Sequence, residues 1–265
     1  MSAEPASVDL PEVTISESRG VRYLHLGTPW IQGAMRIDEP FEIELDYVRR
    51  MMAWMLFREA GELTRGHAVQ LGLGAGAITR FCLKRLKMQV TAVELNPRVI
   101  AACRLWFRVP GDSDRLAVLE MDAAAYVAGA ARRGSIDVLS VDLYDHEAAS
   151  PVLDSAAFYR DCRAALAEGG LMTVNLFGRD VSFERSFARI AAAFGADQVR
   201  TLKPTREGNT VAIAMKHVTV PDRAALARRA ENIETRWKLP ARKWLRMLRP
   251  LPAETPASLP ELPPA

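Results

Sequence analysis

The spacing of apolar residues changes several times along the chain, and each change predicts a new element. Near the N-terminus, two alternating, β-rich runs at 13–20 and 21–27 predict a hairpin that turns around Gly20. A short edge piece is expected at 28–33, and helical spacing predicts a helix at 45–60 whose methionine and tryptophan positions are core contacts. This part of the chain should therefore form a small β-element and a linking helix that pack against the main body.

From His67 onward the pattern alternates between strand and helix without a break. Strand patterns begin at His67 and recur at 89–97, 116–122, 136–143, 171–177, 198–202 and 209–215. Helical patterns are expected at 78–86, 123–131, 155–167 and 181–194. This alternation predicts a doubly wound, mostly parallel α/β sheet. The last two strands are joined by residues 203–208 alone, which are too few for a crossover helix, so these strands should form an antiparallel pair.

Three glycines after the first of these strands carry the strongest chemical signal. Gly72, Gly74 and Gly76 occupy alternate positions and are followed at once by a helical pattern. Glycines allow the backbone to turn tightly and approach a ligand, and the helix that follows offers free N–H groups. The pattern is typical of a βαβ unit that holds a nucleotide-like ligand, although a tight turn without a ligand would use the same glycines.

Acidic residues end the next two strands. Glu94 lies 18 residues after Gly76, close to the spacing of about 20 at which an acid accepts hydrogen bonds from the hydroxyls of a ribose. Asp122 ends the following strand, where an acid in an S-adenosylmethionine site meets the adenine amino group. The alternative for Asp122 is an N-cap on the helix that follows it.

The fourth strand delivers two more acids to the edge of the sheet at which doubly wound folds bind their ligands. Asp142 lies at the end of this strand and Asp145 follows it, directly above the expected ligand. A carboxylate there can take a proton from an attacking amine or hold a cationic substrate, and crowded acids raise one another's pKa, which suits a base. A helix or loop cap is the alternative for Asp142. His146 is a further candidate base, although a solvated loop histidine is the simpler interpretation.

Composition narrows the class of protein. With 265 residues, of which 49% are hydrophobic and 25% charged, the chain should form one globular domain with appendages. No apolar run is long enough to span a membrane and the N-terminus lacks a signal pattern, so we expect no membrane association and a cytoplasmic location. Neither the three cysteines nor the four histidines show metal-ligand spacing, so no metal site is predicted.

These patterns divide the chain into five parts. We expect a disordered N-terminus at 1–11, the β-hairpin element with its linking helix at 12–60, a Rossmann-like nucleoside-binding catalytic domain at 61–216, a basic helical extension at 217–249, and a Pro/Ala-rich disordered tail at 250–265. The segment 221–250 contains nine Lys/Arg and three Asp/Glu. It is expected to be a solvated helix docked by its apolar side, and contact with an acidic partner or nucleic acid is the alternative.

Several of these motifs together resemble spermidine synthases, the polyamine aminopropyltransferase family, from about residue 13 to 216. The turn at 71–78 takes the place of the family's Gly-Gly-Gly-Asp-Gly-Gly, and Val93-Glu94-Leu95-Asn96-Pro97 is similar to its Val-Glu-Leu-Asp-Pro. Further similarities are Ile31-Gln32 after the hairpin, Tyr47 with residues 51–57, Asp142-Leu-Tyr-Asp145 in place of the family's Asp-Ser-x-Asp, and Phe158-Tyr159.

The resemblance implies a seven-stranded, Rossmann-like fold of the S-adenosylmethionine-dependent methyltransferase type with a small N-terminal β-element. It also implies an enzyme, usually a homodimer, that binds S-adenosylmethionine or its decarboxylated form without a metal. Such an enzyme transfers an alkyl group, by family an aminopropyl group, to an amine acceptor, with Asp142 as the base. By the same resemblance the amine is bound by Tyr47 and Asp145, and the nucleoside is held by Gln32, Gly72, Gly74, Gly76, Glu94 and Asp122.

Three departures from the family pattern leave other functions open. Ala75 stands where the family has the aspartate that grips the aminopropyl amine, Arg49 replaces the glutamate of its Tyr-His-Glu, and Asp145-His-Glu-Ala-Ala replaces its Asp-Pro-x-Gly-Pro. The alternatives are a methyltransferase on the same fold, a non-catalytic nucleoside-binding homologue, and an NAD-binding dehydrogenase. Asp122 and the closing antiparallel hairpin disfavour the dehydrogenase.

Overall fold

The computed structural model describes residues 10–143, 155–177 and 181–250, without the side chains of 181–183. Two predicted site residues, Asp145 and His146, lie outside the described residues, as do most of the two terminal segments for which we predicted disorder. The two described residues of the N-terminal segment, at positions 10 and 11, accept hydrogen bonds at their carbonyl oxygens from side chains of the main body. Residues 10 and 11 are therefore bound to the main body by hydrogen bonds.

The N-terminal β-element is a three-stranded antiparallel sheet of β1 (Val13–Ser18), β2 (Val21–Leu26) and β3 (Gly33–Arg36). Its first two strands are the predicted hairpin, which turns at Arg19 and Gly20, both with positive φ. The edge piece predicted at 28–33 is wrong in position, because residues 28–32 consist mainly of bends and the third strand begins only at Gly33, where pairing with β2 starts. Buried residues of β2 and β3 attach this sheet to the main core.

The predicted helix at 45–60 is only partly correct. It begins as α1 (Asp46–Met51), but the chain then tightens into a 3-10 segment over Met52–Phe57. All six residues of the 3-10 segment, Met-Ala-Trp-Met-Leu-Phe, are buried. A segment that is apolar on every side has no exposed stripe to favour the α-helical period, so packing from all directions decides its shape.

The main sheet contains the seven predicted strands and one more. The strands are β4 (His67–Leu71), β5 (Gln89–Glu94), β6 (Leu116–Glu120), β7 (Ile136–Val141), β8 (Leu166–Phe177), β9 (Val199–Leu202), β10 (Asn209–Met215) and β11 (Leu248–Pro250), in the order β11-β9-β10-β8-β7-β4-β5-β6. Strands β4 to β8 are parallel, and β8, β10, β9 and β11 pair antiparallel. The predicted doubly wound sheet and its closing antiparallel hairpin are confirmed.

Helices cover both faces of this sheet. They are α2 (Ala77–Lys84), α3 (Pro97–Trp106), α4 (Ala123–Ala128), α5 (Ala156–Ala165) and α6 (Val181–Phe194). Neighbouring residues Ala68 and Val69 of β4 enter different apolar cores, one packed with α2 and α3 and the other with α4, α5 and α6. Helix α5 ends two residues before its predicted end, because pairing with β7 begins at Leu166, ahead of a register shift in β8.

The basic extension is packed onto the body. It forms α7 (Arg223–Trp237), α8 (Ala241–Met247) and the strand β11. Trp237 and Trp244 are buried in the same core as the 3-10 segment, and β11 pairs with β9 and covers that edge of the sheet. The extension is thus docked through its apolar side, as the simpler interpretation predicted. None of the helices that the structure describes has the length and apolarity that a membrane crossing requires.

Candidate active site

The glycine turn after β4 can be built only with glycines at its crowded positions. Gly72, Gly74 and Gly76 all have positive φ, at 82°, 50° and 70°. A Cβ added at Gly72 would lie 2.0 Å from the Asp142 carbonyl oxygen, and one at Gly76 would lie 2.5 Å from a methyl group of Val109. Gly72 and Gly74 line the cleft described below, whereas Gly76 is the residue before α2 and lies outside the described lining.

A buried glutamine, which the sequence analysis missed, holds this turn. Gln70 Nε2 donates to the carbonyl oxygens of Gly72 at 2.7 Å and Leu73 at 3.1 Å, and its Oε1 accepts from the Thr79 backbone N–H and hydroxyl. A polar residue inside an otherwise apolar strand was the available signal, since buried amides need partners. Gln70 therefore ties the end of β4 to the first turn of α2.

Glu94 faces the glycine turn from the end of β5. Its Oε2 accepts a hydrogen bond from the Leu73 N–H at 2.8 Å, and its Oε1 accepts one from the Asn96 N–H at 2.9 Å. Burial raises the pKa of Glu94, and these two backbone hydrogen bonds act against that rise. The carboxylate is thus fixed in orientation by the backbone on both sides, at the wall of the cleft.

Asp122 follows β6, and it both caps the next helix and lines the cleft, so the two sequence interpretations of this residue do not exclude each other. Its Oδ1 accepts from the Ala125 N–H at 2.8 Å, so it is the N-cap of α4. It also lines the cleft, and no described residue hydrogen-bonds to its Oδ2. The cap fixes the orientation of the carboxylate and leaves one oxygen for another partner.

Asp142 follows β7 and is held by two side chains from other elements. The Tyr47 hydroxyl donates to its Oδ2 at 3.2 Å, and Asn175 Nδ2 donates to its Oδ1 at 2.9 Å. Burial raises the pKa of Asp142 to about 6, and the hydrogen bonds from Asn175 and Tyr47 partly offset that rise. Asp142 is therefore a carboxylate whose proton affinity is tuned close to neutral pH.

The hydrogen bonds continue away from Asp142 across the neighbouring strands. Asn209 Nδ2 donates to Asn175 Oδ1 at 3.1 Å, and the Asn209 N–H donates to the Thr205 hydroxyl at 3.1 Å. Neither asparagine was identified from sequence. Asn175 could have been suspected, since it interrupts an apolar strand pattern and is 2% exposed. These two asparagines tie Asp142 to the hairpin between β9 and β10.

These groups meet in one cleft of about 840 Å³ at the carboxyl ends of the parallel strands. Of the predicted site residues, the cleft brings together Gln32, Tyr47, Gly72, Gly74, Glu94, Asp122 and Asp142. Its described lining contains no Lys, Arg or His side chain. It contains five carboxylates, those of Asp46, Glu94, Asp122, Asp142 and Glu207. The arrangement suits a cationic ligand beside a nucleoside.

The two described departures from the family motif have different surroundings. Ala75 is buried where β3 crosses the turn, since a Cβ added at Gly33 would lie 2.5 Å from that of Ala75. A cavity of about 10 Å³ beside it is also lined by Tyr47 and Asp142. Arg49 is directed elsewhere, with its Nε donating to the Ile43 carbonyl oxygen at 2.5 Å, and it does not line the cleft. Within the described residues no cluster of potential metal ligands occurs.

The chain is similar to known proteins over most of its length. The polyamine aminopropyltransferase of Neisseria meningitidis serogroup A is 36% identical over 213 residues, covering 80% of this chain and 79% of that protein. The enzyme of the same name from Chromobacterium violaceum is 34% identical over 237 residues, covering 89% and 88%. No family model matches the chain.

Two solved structures share the fold. A probable spermidine synthase from Corynebacterium glutamicum superposes with a TM-score of 0.70 at 16% identity, covering 82% of this chain and 83% of that one. Human methyltransferase-like protein 13 in complex with SAH superposes with a TM-score of 0.66 at 22% identity, covering 74% and 93%. At these identities the likeness concerns the fold alone, which is the predicted one.

Proposed function

The chain belongs to the polyamine aminopropyltransferase family, and from this premise we propose that it transfers an aminopropyl group from decarboxylated S-adenosylmethionine to a small-molecule amine. The observation that carries the proposal is Asp142, held in the cleft between the Tyr47 hydroxyl and the Asn175 amide. A carboxylate in that position can orient an attacking amine and take its proton. The homodimer expected from the resemblance and the cytoplasmic location expected from composition belong to the same proposal.

In the proposed reaction the amine nitrogen attacks the carbon of the aminopropyl group that is bonded to the sulfonium sulfur. A C–N bond forms as the C–S bond breaks, and the electron pair of the broken bond remains on sulfur, so neutral methylthioadenosine leaves. The proton of the attacking nitrogen passes to Asp142 and then to solvent. The protein's contribution is to hold the two reactants in line and to supply the base.

The pKa of Asp142 supports this role. A pKa of about 6 leaves the carboxylate mostly ionised at neutral pH, while it remains a stronger base than an exposed aspartate. Tyr47 and Asn175 bond to different oxygens and fix the plane of the carboxylate. We therefore assign Asp142 as the general base and Tyr47 as a residue that contacts both the base and the amine.

The nucleoside is assigned to the other end of the cleft. Gly72 and Gly74 let the backbone approach it, and Glu94 accepts hydrogen bonds from its ribose hydroxyls. The Oδ2 atom of Asp122 accepts from the adenine amino group, and Gln32 covers the nucleoside from the N-terminal sheet side. Gly76 contributes indirectly, because its lack of a side chain allows α2 to begin close to Val109.

The charge of the cleft favours the decarboxylated cofactor over intact S-adenosylmethionine. Its described lining has five carboxylates and no cationic side chain that could pair with a cofactor carboxylate. The sulfonium and the ammonium of the decarboxylated form are both cations and are attracted by such a lining. An additional carboxylate on the cofactor would be repelled.

Methyl transfer is the second candidate function, and Ala75 is the observation that favours it. An alanine at this position of the turn supplies no carboxylate to the aminopropyl amine, so one advantage of the decarboxylated cofactor is missing. In that case S-adenosylmethionine would donate its methyl group in the same cleft. The two candidates differ in the product they leave, which makes them separable by one experiment.

The test is to incubate the full-length protein with each cofactor and a panel of primary mono- and diamines, and to separate the nucleoside products by chromatography. We expect methylthioadenosine from the decarboxylated cofactor at a rate that depends on the amine. Release of S-adenosylhomocysteine from the intact cofactor, with no amine-dependent methylthioadenosine, would replace the proposal by methyl transfer. Binding of methylthioadenosine without any turnover would indicate a non-catalytic homologue.

A further inference from the structure

We propose that Glu207 binds the second ammonium group of a diamine acceptor and thereby determines acceptor preference. This inference rests on the proposed aminopropyl transfer, because it assigns the far end of the same acceptor. Glu207 lies in the hairpin between β9 and β10 and lines the same cleft as Asp142. It belongs to none of the motifs that the sequence analysis used.

The other carboxylates of the cleft are already engaged. Asp46 pairs with Arg50 at 2.6 Å, while Glu94, Asp122 and Asp142 accept the hydrogen bonds described above. Glu207 forms no ion pair with any cation in the described part of the chain, and its side chain is exposed at the mouth of the cleft. Asp46 has a cationic partner, and the proposed function assigns Glu94, Asp122 and Asp142 to the nucleoside and the attacking nitrogen. Glu207 is therefore the carboxylate of this set that is left for a second ammonium group.

Hydrogen bonds connect the hairpin that carries Glu207 to the proposed base. Asn175 links Asp142 to Asn209, and the Thr205 hydroxyl accepts from the Asn209 N–H and donates to Asn209 Oδ1 at 3.4 Å. Glu207 lies between Thr205 and Asn209 in this hairpin, so the network fixes the backbone on both sides of it. A ligand that contacts both the base and Glu207 must carry its two nitrogens at a defined separation.

The wall beside this network is apolar. Phe177 pairs with Asn209 in the register of β8 and β10, and its ring lies 6.2 Å from that of Trp30, centroid to centroid. Leu143 lines the cleft beside them. A carboxylate, an apolar wall and a second carboxylate are complementary to an amine, a methylene chain and an ammonium.

The hairpin that carries Glu207 is supported from two directions. Arg50 Nη1 donates to the Lys203 carbonyl oxygen at 2.5 Å, and the Lys203 N–H donates to the Met247 carbonyl oxygen at 3.2 Å. The backbone N–H of Glu207 and the Thr205 side chain hold the pKa of Glu207 below its ordinary value, so its charge persists at the pH of the reaction. The second contact site is thus positioned by the hairpin and negatively charged at neutral pH.

The test compares a diamine with a monoamine of the same chain length. For Glu207→Gln we expect the KM for 1,4-diaminobutane to rise about five- to tenfold, as removal of a partly screened ion pair would give, with little change in kcat. The kcat/KM for 1-aminobutane should stay within twofold. Lys203→Gln is the matched control, because it removes an exposed charge from the same hairpin outside the described lining and keeps the backbone bonds of Lys203, and it should change neither value.

A binding measurement separates this inference from the proposed function. Calorimetry with 1,4-diaminobutane in the presence of methylthioadenosine should show the same five- to tenfold weakening in Glu207→Gln, even if wild type turns over no amine. Equal loss for both amines, or no loss for the diamine, would overturn the role of Glu207. Failure of the wild-type ternary complex to bind the diamine at all would also overturn it. Glu207→Asp, which keeps the charge, should recover part of the diamine affinity.

Discussion

The two halves of the cleft are built in different ways. The half that we propose binds the cofactor comes from three successive strand ends and consists of Gly72, Gly74, Glu94 and Asp122; we call it the cofactor half. The half that we propose binds the amine comes from α1, β7, β8 and the β9–β10 hairpin and consists of Tyr47, Asp142, Asn175, Asn209 and Glu207; we call it the acceptor half. In the cofactor half the acids are held by backbone N–H groups, whereas in the acceptor half side chains hold one another.

This difference predicts how each half fails. An acid anchored by the backbone keeps its place when a neighbouring side chain changes, so substitutions in the cofactor half should mainly weaken nucleoside affinity. A network of side chains depends on every member, so substitutions in the acceptor half should change the rate and its pH dependence. If substitutions in both halves change affinity and rate in the same way, the proposed difference between the two halves is wrong.

The largest effect is expected at Asp142. Asp142→Asn removes the proposed base and should lower kcat by at least about a hundredfold, since general base catalysis contributes roughly 10²- to 10⁴-fold. Methylthioadenosine affinity should stay within a few-fold of wild type. The measurement is single-turnover release of methylthioadenosine together with calorimetric binding. A variant that keeps more than about a tenth of wild-type activity would remove Asp142 from the role of base.

The pH dependence provides the control for that result. Because burial raises the pKa of Asp142 to about 6 in the ligand-free protein, the base form is lost as pH falls, and wild-type kcat/KM for the decarboxylated cofactor should fall about tenfold per pH unit well below 6. A raised pKa also means that ionisation of Asp142 destabilises the folded state progressively as pH rises from about 4 to about 6, and by a constant amount above that. Asp142→Asn should therefore be more stable than wild type at pH 7.5, by at most about 3 kcal/mol, with the gain vanishing near pH 4.

The same contrast explains what could be predicted from sequence. The glycine turn and Glu94 were found because a βαβ unit places its ligand groups at fixed short spacings. Asn175 and Asn209 meet only through the register of β8 with β10, which sequence spacing does not determine. Packing likewise decided the 3-10 segment at Met52–Phe57 and the added strand β11. Cleft residues within one βαβ unit could be predicted from their spacing, whereas contacts between segments that are distant in sequence could not.

A smaller effect is expected in the cofactor half. Glu94→Ala removes the proposed ribose contact and should weaken methylthioadenosine binding by at least about tenfold, since hydrogen bonds to charged groups contribute roughly 1.5–3 kcal/mol. Glu94 also accepts the Leu73 N–H, so Glu94→Gln is the matched variant that keeps an acceptor for the turn. It should fall between wild type and Glu94→Ala. Unchanged affinity in Glu94→Ala, measured by calorimetry, would exclude the ribose contact.

Ala75 is buried beside the small cavity that Tyr47 and Asp142 also line, and its substitution tests cofactor choice. Ala75→Asp should raise the preference for decarboxylated over intact S-adenosylmethionine by about tenfold relative to Ala75→Asn, because a carboxylate within about 4 Å of an ammonium contributes roughly 1–4 kcal/mol. Ala75→Asn matches its size, which matters since the adjoining cavity is only about 10 Å³. Equal selectivity of the two variants in competition binding would show that charge at this position does not select the cofactor.

The smallest effect is expected in the basic extension, which braces the acceptor half through β11 and Met247. Its tryptophans Trp237 and Trp244 are 4% and 0% exposed, so they cannot stack on bases, and any nucleic-acid contact would rest on charge alone. Replacing the exposed Arg228, Lys243 and Arg246 together by Gln should change the free energy of unfolding by about 0.5 kcal/mol or less per site and leave the kcat/KM for amines unchanged.

Binding to a mixed-sequence duplex, titrated by fluorescence anisotropy at 50 and 200 mM salt, should be weak and lose affinity steeply with salt in wild type, and the triple variant should show a shallower slope. Sequence-dependent binding that survives 200 mM salt and disappears in the triple variant would instead make the extension a nucleic-acid site.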